Sequence, residues 1–264
     1  MKNRETNNIQ RFGFRLDKVG AHTSRTIMLE DLRLLLSYIG SPDATKNDYL
    51  RAIAEENCLG KRSGKTRKLT AAHLVYLYSL DPSITVFRAL LYFWNRDVDG
   101  QPLLALMCAY GRDSLLRISA PFILKFTEGE TVSPKSLEGY IDDKYPCRFS
   151  KATLKSTAQN LNATWTKSGH LVGKAKKIRS RSKPTPGSVS YALFLGYLKG
   201  VRGEALFMTE YTRLLDCSIE RAIELAEEAS RRGWIVFKRV GKVVEVQFPN
   251  LLTTQEREWI RDQN

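Results

Sequence analysis

Apolar residues recur at helical spacing along the first half of the chain. Leu29, Leu32, Leu35, Leu36 and Ile39 form one stripe, closed by Gly40-Ser41-Pro42. The spacing predicts a second helix from Thr45 to about Asn57, burying Tyr49, Leu50 and Ile53. A basic loop, 60–68, precedes a helix from Ala71 to Leu80 with Thr70 as its expected cap and Asp81-Pro82 as its stop. Ile84 to Trp94 is apolar on most faces and reads as a buried helix. Pro102 suits the first turn of a helix to Tyr110, and Asp113 to Phe126 gives one more. Short connections between such helices imply a bundle.

The pattern changes after a turn at 127–131. A helix is expected from Pro134 to about Lys144 and another after the cap Ser150. In the latter, Leu154, Ala158, Leu161 and Trp165 form the buried stripe, and Lys151, Lys155, Gln159 and Asn162 the opposite face. His170-Leu171-Val172 reads as a strand before the Lys174–Lys183 run, which is too polar to pack. Helix, turn, helix, strand and basic loop is the order of a winged helix-turn-helix. A second unit follows a linker at 184–187. It holds a helix from Ser190 to Lys199, an apolar stripe from Leu206 to Leu215 and the turn Asp216-Cys217-Ser218. Next comes a helix burying Ile219, Ala222, Ile223, Ala226 and Ala229. Runs at 234–237 and 243–248 predict a β-hairpin turning at Val240-Gly241, and the tail from Thr253 a short helix.

These elements imply a mainly α protein: an N-terminal helical bundle, two helix-turn-helix or winged-helix-like units, and a small C-terminal β-hairpin. The expected divisions are a polar N-terminal extension (1–28), the bundle (29–130), a basic helix-turn-helix unit (131–183) and a second winged-helix-like unit (184–264). With 42% hydrophobic residues, the 264-residue chain has material for a real core. No apolar stretch reaches the ~18–20 residues of a membrane span, and Met1 to Gly20 carries no apolar signal core. Cys58, Cys108, Cys147 and Cys217 form no CxxC pair, which fits reduced thiols in the cytoplasm.

Charge separates the two units. The net charge is +14, and the forty positions from Lys144 to Lys183 hold eleven basic residues and no acid. Residues 184–264 carry eleven of each sign, leaving +3 for the first 143. A concentrated basic field faces a polyanion more often than a uniformly basic surface does. In the second unit, Glu220, Glu224, Glu227 and Glu228 occupy the helix that would enter a groove, so that unit reads as structural or protein-binding. Only Arg231, Arg232, Lys238, Arg239 and Lys242 near its base offer contacts to phosphate.

Catalytic chemistry finds little support. Gly60 to Thr66 has three residues between its glycines where a phosphate-binding loop has four, and it follows a helix rather than a strand. His22, His73 and His170 have no partner at metal-ligand spacing: His22 reads as solvated, His73 as a satisfied core residue, and His170 as a neighbour of phosphate. Neither an enzymatic role, a cofactor, a metal, a membrane contact nor a small-molecule substrate is expected.

Recognition remains. Ser150, Lys151, Thr153, Lys155, Gln159 and Asn162 would present a recognition helix to double-stranded DNA. Lys167, His170, Lys174, Lys176, Lys177, Arg179, Arg181 and Lys183 would hold the backbone, with Lys61, Arg62, Lys65, Arg67 and Lys68 extending the track. RNA binding by the bundle and a protein-interaction scaffold are the rivals, and autoregulation of its own operon is a further reading.

Several stretches resemble the BrxA family of BREX phage-exclusion systems. Asn57-Cys58-Leu59-Gly60-Lys61-Arg62-Ser63 with Thr66-Arg67 is similar to its N-x-L-x-K-R-S and T-x-R pattern. Gln101-Pro102-Leu103-Leu104-Ala105 and Asp113-Ser114-Leu115-Leu116 resemble its middle section. Phe149-Ser150, Thr153-Leu154, Gln159-Asn160 and Gly169-His170-Leu171 resemble its C-terminal helix-turn-helix. The resemblance spans roughly Leu29 to Phe248; the N-terminal stretch to about Ala21 and the length of the basic run depart from it. It implies a bundle likened to the RNA-binding factor NusB, two helix-turn-helix elements around a positive surface, duplex DNA binding and other BREX-type proteins as partners.

Overall fold

The computed structural model describes residues 9–16, 20–241 and 243–262. The first leucine stripe forms α1 (Leu29–Ile39), burying Leu29, Leu32 and Leu35 and ending at Gly40. In α2 (Lys46–Ala54) the first turn is closed by Thr45, whose N–H and hydroxyl both donate to Asp48 at 2.8 Å. Helix α3 (Gly64–Tyr78) begins well before the expected Ala71. Ser63 is its cap, accepting from the Thr66 amide at 3.2 Å, and Thr70 is buried inside the helix. Lys65, Arg67 and Lys68 are good helix formers but carry no apolar stripe, so periodicity could not reveal this turn. α4 (Thr85–Trp94), α5 (Gln101–Tyr110) and α6 (Ser114–Leu124) complete the bundle. The Asp113 carboxylate caps α6, accepting from the amides of Leu115 (2.9 Å) and Leu116 (3.0 Å).

The basic unit comprises β1 (Thr131–Val132), α7 (Pro134–Lys144), α8 (Lys151–Lys167), β2 (Leu171–Val172) and β3 (Lys177–Arg179). The strands pair antiparallel in the order β1-β3-β2, with Thr131 opposite Ile178 and Leu171 opposite Arg179. β1 and β3 are too short to show an alternating period, so the sequence gives no sign of them. The Lys174–Lys183 run is therefore not a free polar arm: its middle is the central strand of a small sheet.

The second unit opens with α9 (Pro186–Leu198), whose first turn lies within the expected linker and is capped by Thr185. α9 is apolar on nearly every face and becomes a central helix, where the Tyr191 hydroxyl donates to the Val86 carbonyl on α4 at 2.9 Å. The stripe from Leu206 to Leu215 splits into a 3-10 turn (Gly203–Met208) and α10 (Glu210–Arg213), because Thr209 caps a new start. After α11 (Ile219–Arg231), β4 (Val236–Val240) and β5 (Val243–Gln247) form the hairpin, with Phe237 opposite Val246. Ile219, expected in the core, is 42% exposed on the first turn of α11. The tail forms α12 (Thr254–Arg261).

One apolar cluster runs through bundle and both units. The stretch read as a polar extension contributes to it: Phe12, Phe14, Ala21, Ile27 and Met28 are all buried. Phe12 meets Trp259 edge-on at 5.8 Å and Phe14 lies 6.1 Å from Tyr211, so the segment packs against two elements of the 184–264 stretch. These residues dock singly rather than in a periodic stripe, which hides them in the sequence. The expectation for 1–8 and 17–19 lies outside the described residues. Glu256 of α12 is buried and closes the core by accepting from Arg88 at 2.7 Å and from the Thr85 hydroxyl. Among the described residues no helix is long and apolar enough to cross a membrane.

Candidate nucleic-acid interface

Two of its sides fix α8. Its buried stripe includes Ala158, Leu161 and Trp165, and the Trp165 indole N–H donates to Ser119 on α6 at 2.9 Å. A second side is held by the N-terminal segment. Ser156 donates to the Thr23 carbonyl (3.1 Å), Asn160 to the His22 carbonyl (3.0 Å), and Thr164 accepts from the Ile27 amide (3.0 Å). What remains open is the row Lys151, Lys155 and Gln159, with Ala152 beside it in the first turn. Ser150 caps the helix with its hydroxyl, 3.2 Å from the Thr153 amide and 3.0 Å from the Thr153 hydroxyl. The two hydroxyls expected to touch DNA therefore shape the helix start, where free amides attract an anion.

Beside this row stands the β2–β3 turn. Gly173 has φ +93, and a Cβ there would lie 2.2 Å from the Lys176 carbonyl oxygen, so the tight turn needs glycine. The Lys177 ammonium donates to the Gly173 carbonyl at 2.6 Å across the turn, and burial lowers its pKa. Lys174 and Lys176 are exposed. Lys174 and Lys177 share a cleft of about 350 Å³ with Gln159 and Asn162. Lys167, Arg181 and Lys183 line a second depression of about 290 Å³ at the C-terminal end of α8. Arg181 also lies 3.4 Å from Glu128, both exposed.

Three residues expected on the exposed surface of the interface are buried instead. Asn162 shares the helical face of Lys151 and Lys155 but is 3% exposed, because Pro134 of α7 and the turn at Lys174–Lys177 line the same cleft. His170 is fully buried, packed edge-on against Trp165 at 4.9 Å and bonded to Ser168 (2.9 Å) and the Leu214 carbonyl (3.0 Å). Burial pushes its pKa down to about 4, against the opposing pull of Asp216. Arg179 is 4% exposed and pairs with Asp216 at 2.7 Å, also donating to the His170 and Ser180 carbonyls. Both residues form the seam between the two units, joined by the Ser182 hydroxyl on the Leu215 carbonyl (2.8 Å). A basic residue in a charge run carries no sign of which side of its strand it faces, so the sequence could not separate Arg179 from Arg181.

The outlying track stands apart. Lys61 is half-buried and tied to Asp31 on α1 at 2.7 Å, and Arg67 is also half-buried. Arg62, Lys65 and Lys68 are exposed at the start of α3, on a different element from α8 and the turn. Conversely, Lys135 is exposed next in sequence to Pro134, which lines the first cleft, and is a cation absent from the expected set. Ser133-Pro134 as a helix start was its available signal.

The histidine expected in solvent has the opposite fate. His22 Nδ1 lies 3.0 Å from Asp113 and Nε2 lies 2.9 Å from the Thr164 hydroxyl, all three buried. Burial pushes the Asp113 carboxyl up, but His22 and the Leu116 and Ala21 amides outweigh it and hold it below the ordinary value. An acid–histidine–hydroxyl series would suit nucleophilic catalysis, but sealed in the core it ties residues 20–27 to α6 and α8. His73, expected in the core, is half-buried 3.5 Å from the Ser24 hydroxyl.

In the second unit the corresponding helix, α11, exposes Glu220, Glu224 and Glu227, with Glu224 paired to Arg221 (2.7 Å) and the half-buried Glu228 to Arg232. On its hairpin Lys238 stands opposite Glu245. No protein-family model matches the chain, and a search of curated proteins finds no similar sequence.

Proposed function

We propose that the protein is a non-enzymatic, cytoplasmic double-stranded DNA-binding component of a BREX-type phage-defence system. One observation carries the DNA part: the open row of α8 (Lys151, Lys155, Gln159) adjoins the lysines of the β2–β3 turn across a shared cleft. A helix edge flanked by a basic turn suits a groove and its phosphates, and the 144–183 segment has no carboxylate to oppose them. Phosphate binding falls to Lys151, Lys155, Lys174, Lys176, Lys177 and Lys135, with Lys167, Arg181 and Lys183 on the neighbouring depression. Gln159 is the candidate for reading a base edge. The BREX assignment, and partnership with other BREX-type proteins, rest on the resemblance to BrxA.

The test is fluorescence anisotropy with labelled duplex DNA, single-stranded DNA and structured RNA at several salt concentrations. Duplex-preferring binding whose log affinity falls linearly with log salt is expected. Preference for structured RNA at matched salt would move the reading to an RNA-binding factor. One feature favours a second role as a protein-contact surface: Ile219 is exposed beside Glu220 on α11. A partner held through α11 with no nucleic-acid affinity anywhere would replace the DNA reading with a scaffold.

A further inference from the structure

The first cleft contains a polar group the fold does not use. Asn162 lines it while 3% exposed, and neither its side-chain oxygen nor its nitrogen has a hydrogen-bond partner among the described residues. Burying a carboxamide with both functions unmatched is unfavourable, and native structures seldom do so without a reason. A structural role would satisfy the amide by a neighbouring backbone, as Asn160 does two positions earlier with the His22 carbonyl. Asn162 instead lines a cleft of about 350 Å³, within the ~300–1,000 Å³ typical of small-ligand sites, with its amide atoms covered at the cleft wall.

The lining defines what fits. Lys174 and Lys177 supply cations, and no carboxylate of the described residues lines the cleft, so its occupant carries negative charge. Pro134, Ala163 and Ala175 supply apolar walls for a flat ring. The carboxamide requires a partner offering one donor and one acceptor side by side. Adenine does so along its N6/N7 edge, the edge that Asn and Gln read bidentately. A nucleotide joins all three features in one unit: phosphate, flat ring and paired donor and acceptor.

We propose that this cleft binds an adenine nucleotide, Asn162 pairing with the N6/N7 edge and Lys174 and Lys177 holding the phosphate. The nucleotide has two possible sources, an unstacked adenine of bound nucleic acid or a free adenosine monophosphate. The nucleic-acid source rests on the DNA-binding reading above; the free source does not. Gln159, on the rim, continues the open row of α8 into the cleft, so an adenine displaced from a strand on that row has a short path inward.

The test uses the full chain and a chemical double-mutant cycle. A labelled single-stranded oligonucleotide of deoxyadenosine is compared with one carrying 7-deazaadenine, which lacks the N7 acceptor. The comparison is repeated in a duplex with one mismatched adenine, and adenosine monophosphate is titrated separately. Wild-type affinity should fall about 5- to 150-fold on 7-deaza substitution, the range of a bidentate base contact. Asn162→Leu should bind the unmodified probe as weakly and ignore the substitution. If that variant does not fold by circular dichroism, the two probes on wild-type protein still decide. An effect confined to oligonucleotides assigns the nucleic-acid source; saturable monophosphate binding lost in Asn162→Leu assigns the free one. Equal affinity for both probes together with no monophosphate binding overturns the inference. If duplex binding persists in that case, the DNA-binding reading stands alone; if monophosphate binds and no nucleic acid does, the reverse holds.

Discussion

Two stretches of the chain repeat a similar plan, helix, helix and paired strands, and carry opposite electrical characters. In the first, α8 exposes Lys151, Lys155 and Gln159 beside a turn bearing Lys174 and Lys176. In the second, α11 exposes Glu220, Glu224 and Glu227, and its hairpin sets Lys238 against Glu245. On the proposed reading, the plan alone does not define a DNA-binding surface; the charge on the open face does. The two are also not independent. The turn that introduces α11, Leu214-Leu215-Asp216, receives bonds from His170, Ser182 and Arg179 of the first unit. That seam fixes the acidic helix relative to the basic one.

Breaking the seam gives the largest effect. Asp216→Ala leaves the buried Arg179 guanidinium without its carboxylate and should destabilise the fold by about 3–5 kcal/mol, read by urea unfolding at neutral pH. A loss under about 1 kcal/mol would mean that the seam does not join the units. Acid should weaken the same seam. His170 has a folded pKa near 4 against an ordinary 6.5, so below pH 6.5 the unfolded chain binds the proton more readily. Stability from this group is full above pH 6.5 and is lost as pH falls toward 4, by about 3 kcal/mol in all. Unfolding curves at pH 7.5 and 4.5 measure the loss, and His170→Gln should remove that part of it.

Smaller effects probe the charge contrast itself. Glu220, Glu224 and Glu227 all changed to Lys should raise duplex affinity about tenfold and steepen the salt dependence, because added cations on an open face recruit phosphates. No change in either would show that α11 is turned away from bound DNA. Smallest of all, Arg181→Ala removes an exposed pair with Glu128 and should alter stability by less than about 1 kcal/mol. The same change should reduce the salt slope by about 1 if Arg181 touches phosphate.

Long apolar stripes were legible in the sequence. Leu29–Ile39, Pro134–Lys144 and Lys151–Lys167 have the ends that their caps and breakers predict. The charge contrast between the units was equally plain, because it depends on counting rather than on geometry. Short or aperiodic features were not. β1 and β3 hold two and three residues, and Phe12 and Phe14 enter the core from a segment without a period. The candidate site divided along the same line. Lys151, Lys155, Gln159, Lys174 and Lys176 are open as their pattern implies, whereas the depth of Asn162, His170 and Arg179 depends on neighbours distant in sequence: α7 and the β2–β3 turn for Asn162, the 214–216 turn for the other two. A helical face shows which side chains share a side, not what the rest of the chain lays across it.

The central claim is that the first unit, not the second, holds duplex DNA. Its most direct test titrates one labelled duplex, across several salt concentrations, with two matched triple variants and the wild-type protein. Lys174, Lys176 and Lys177 changed together to Ala should lower affinity on the order of 100-fold at 0.1 M salt and reduce the salt slope by about 3. Arg231, Lys238 and Arg239 changed together to Ala should lower it by less than about threefold, since α11 and Glu245 already offset that face. Equal losses in the two variants, or the larger loss in the second, would contradict the account.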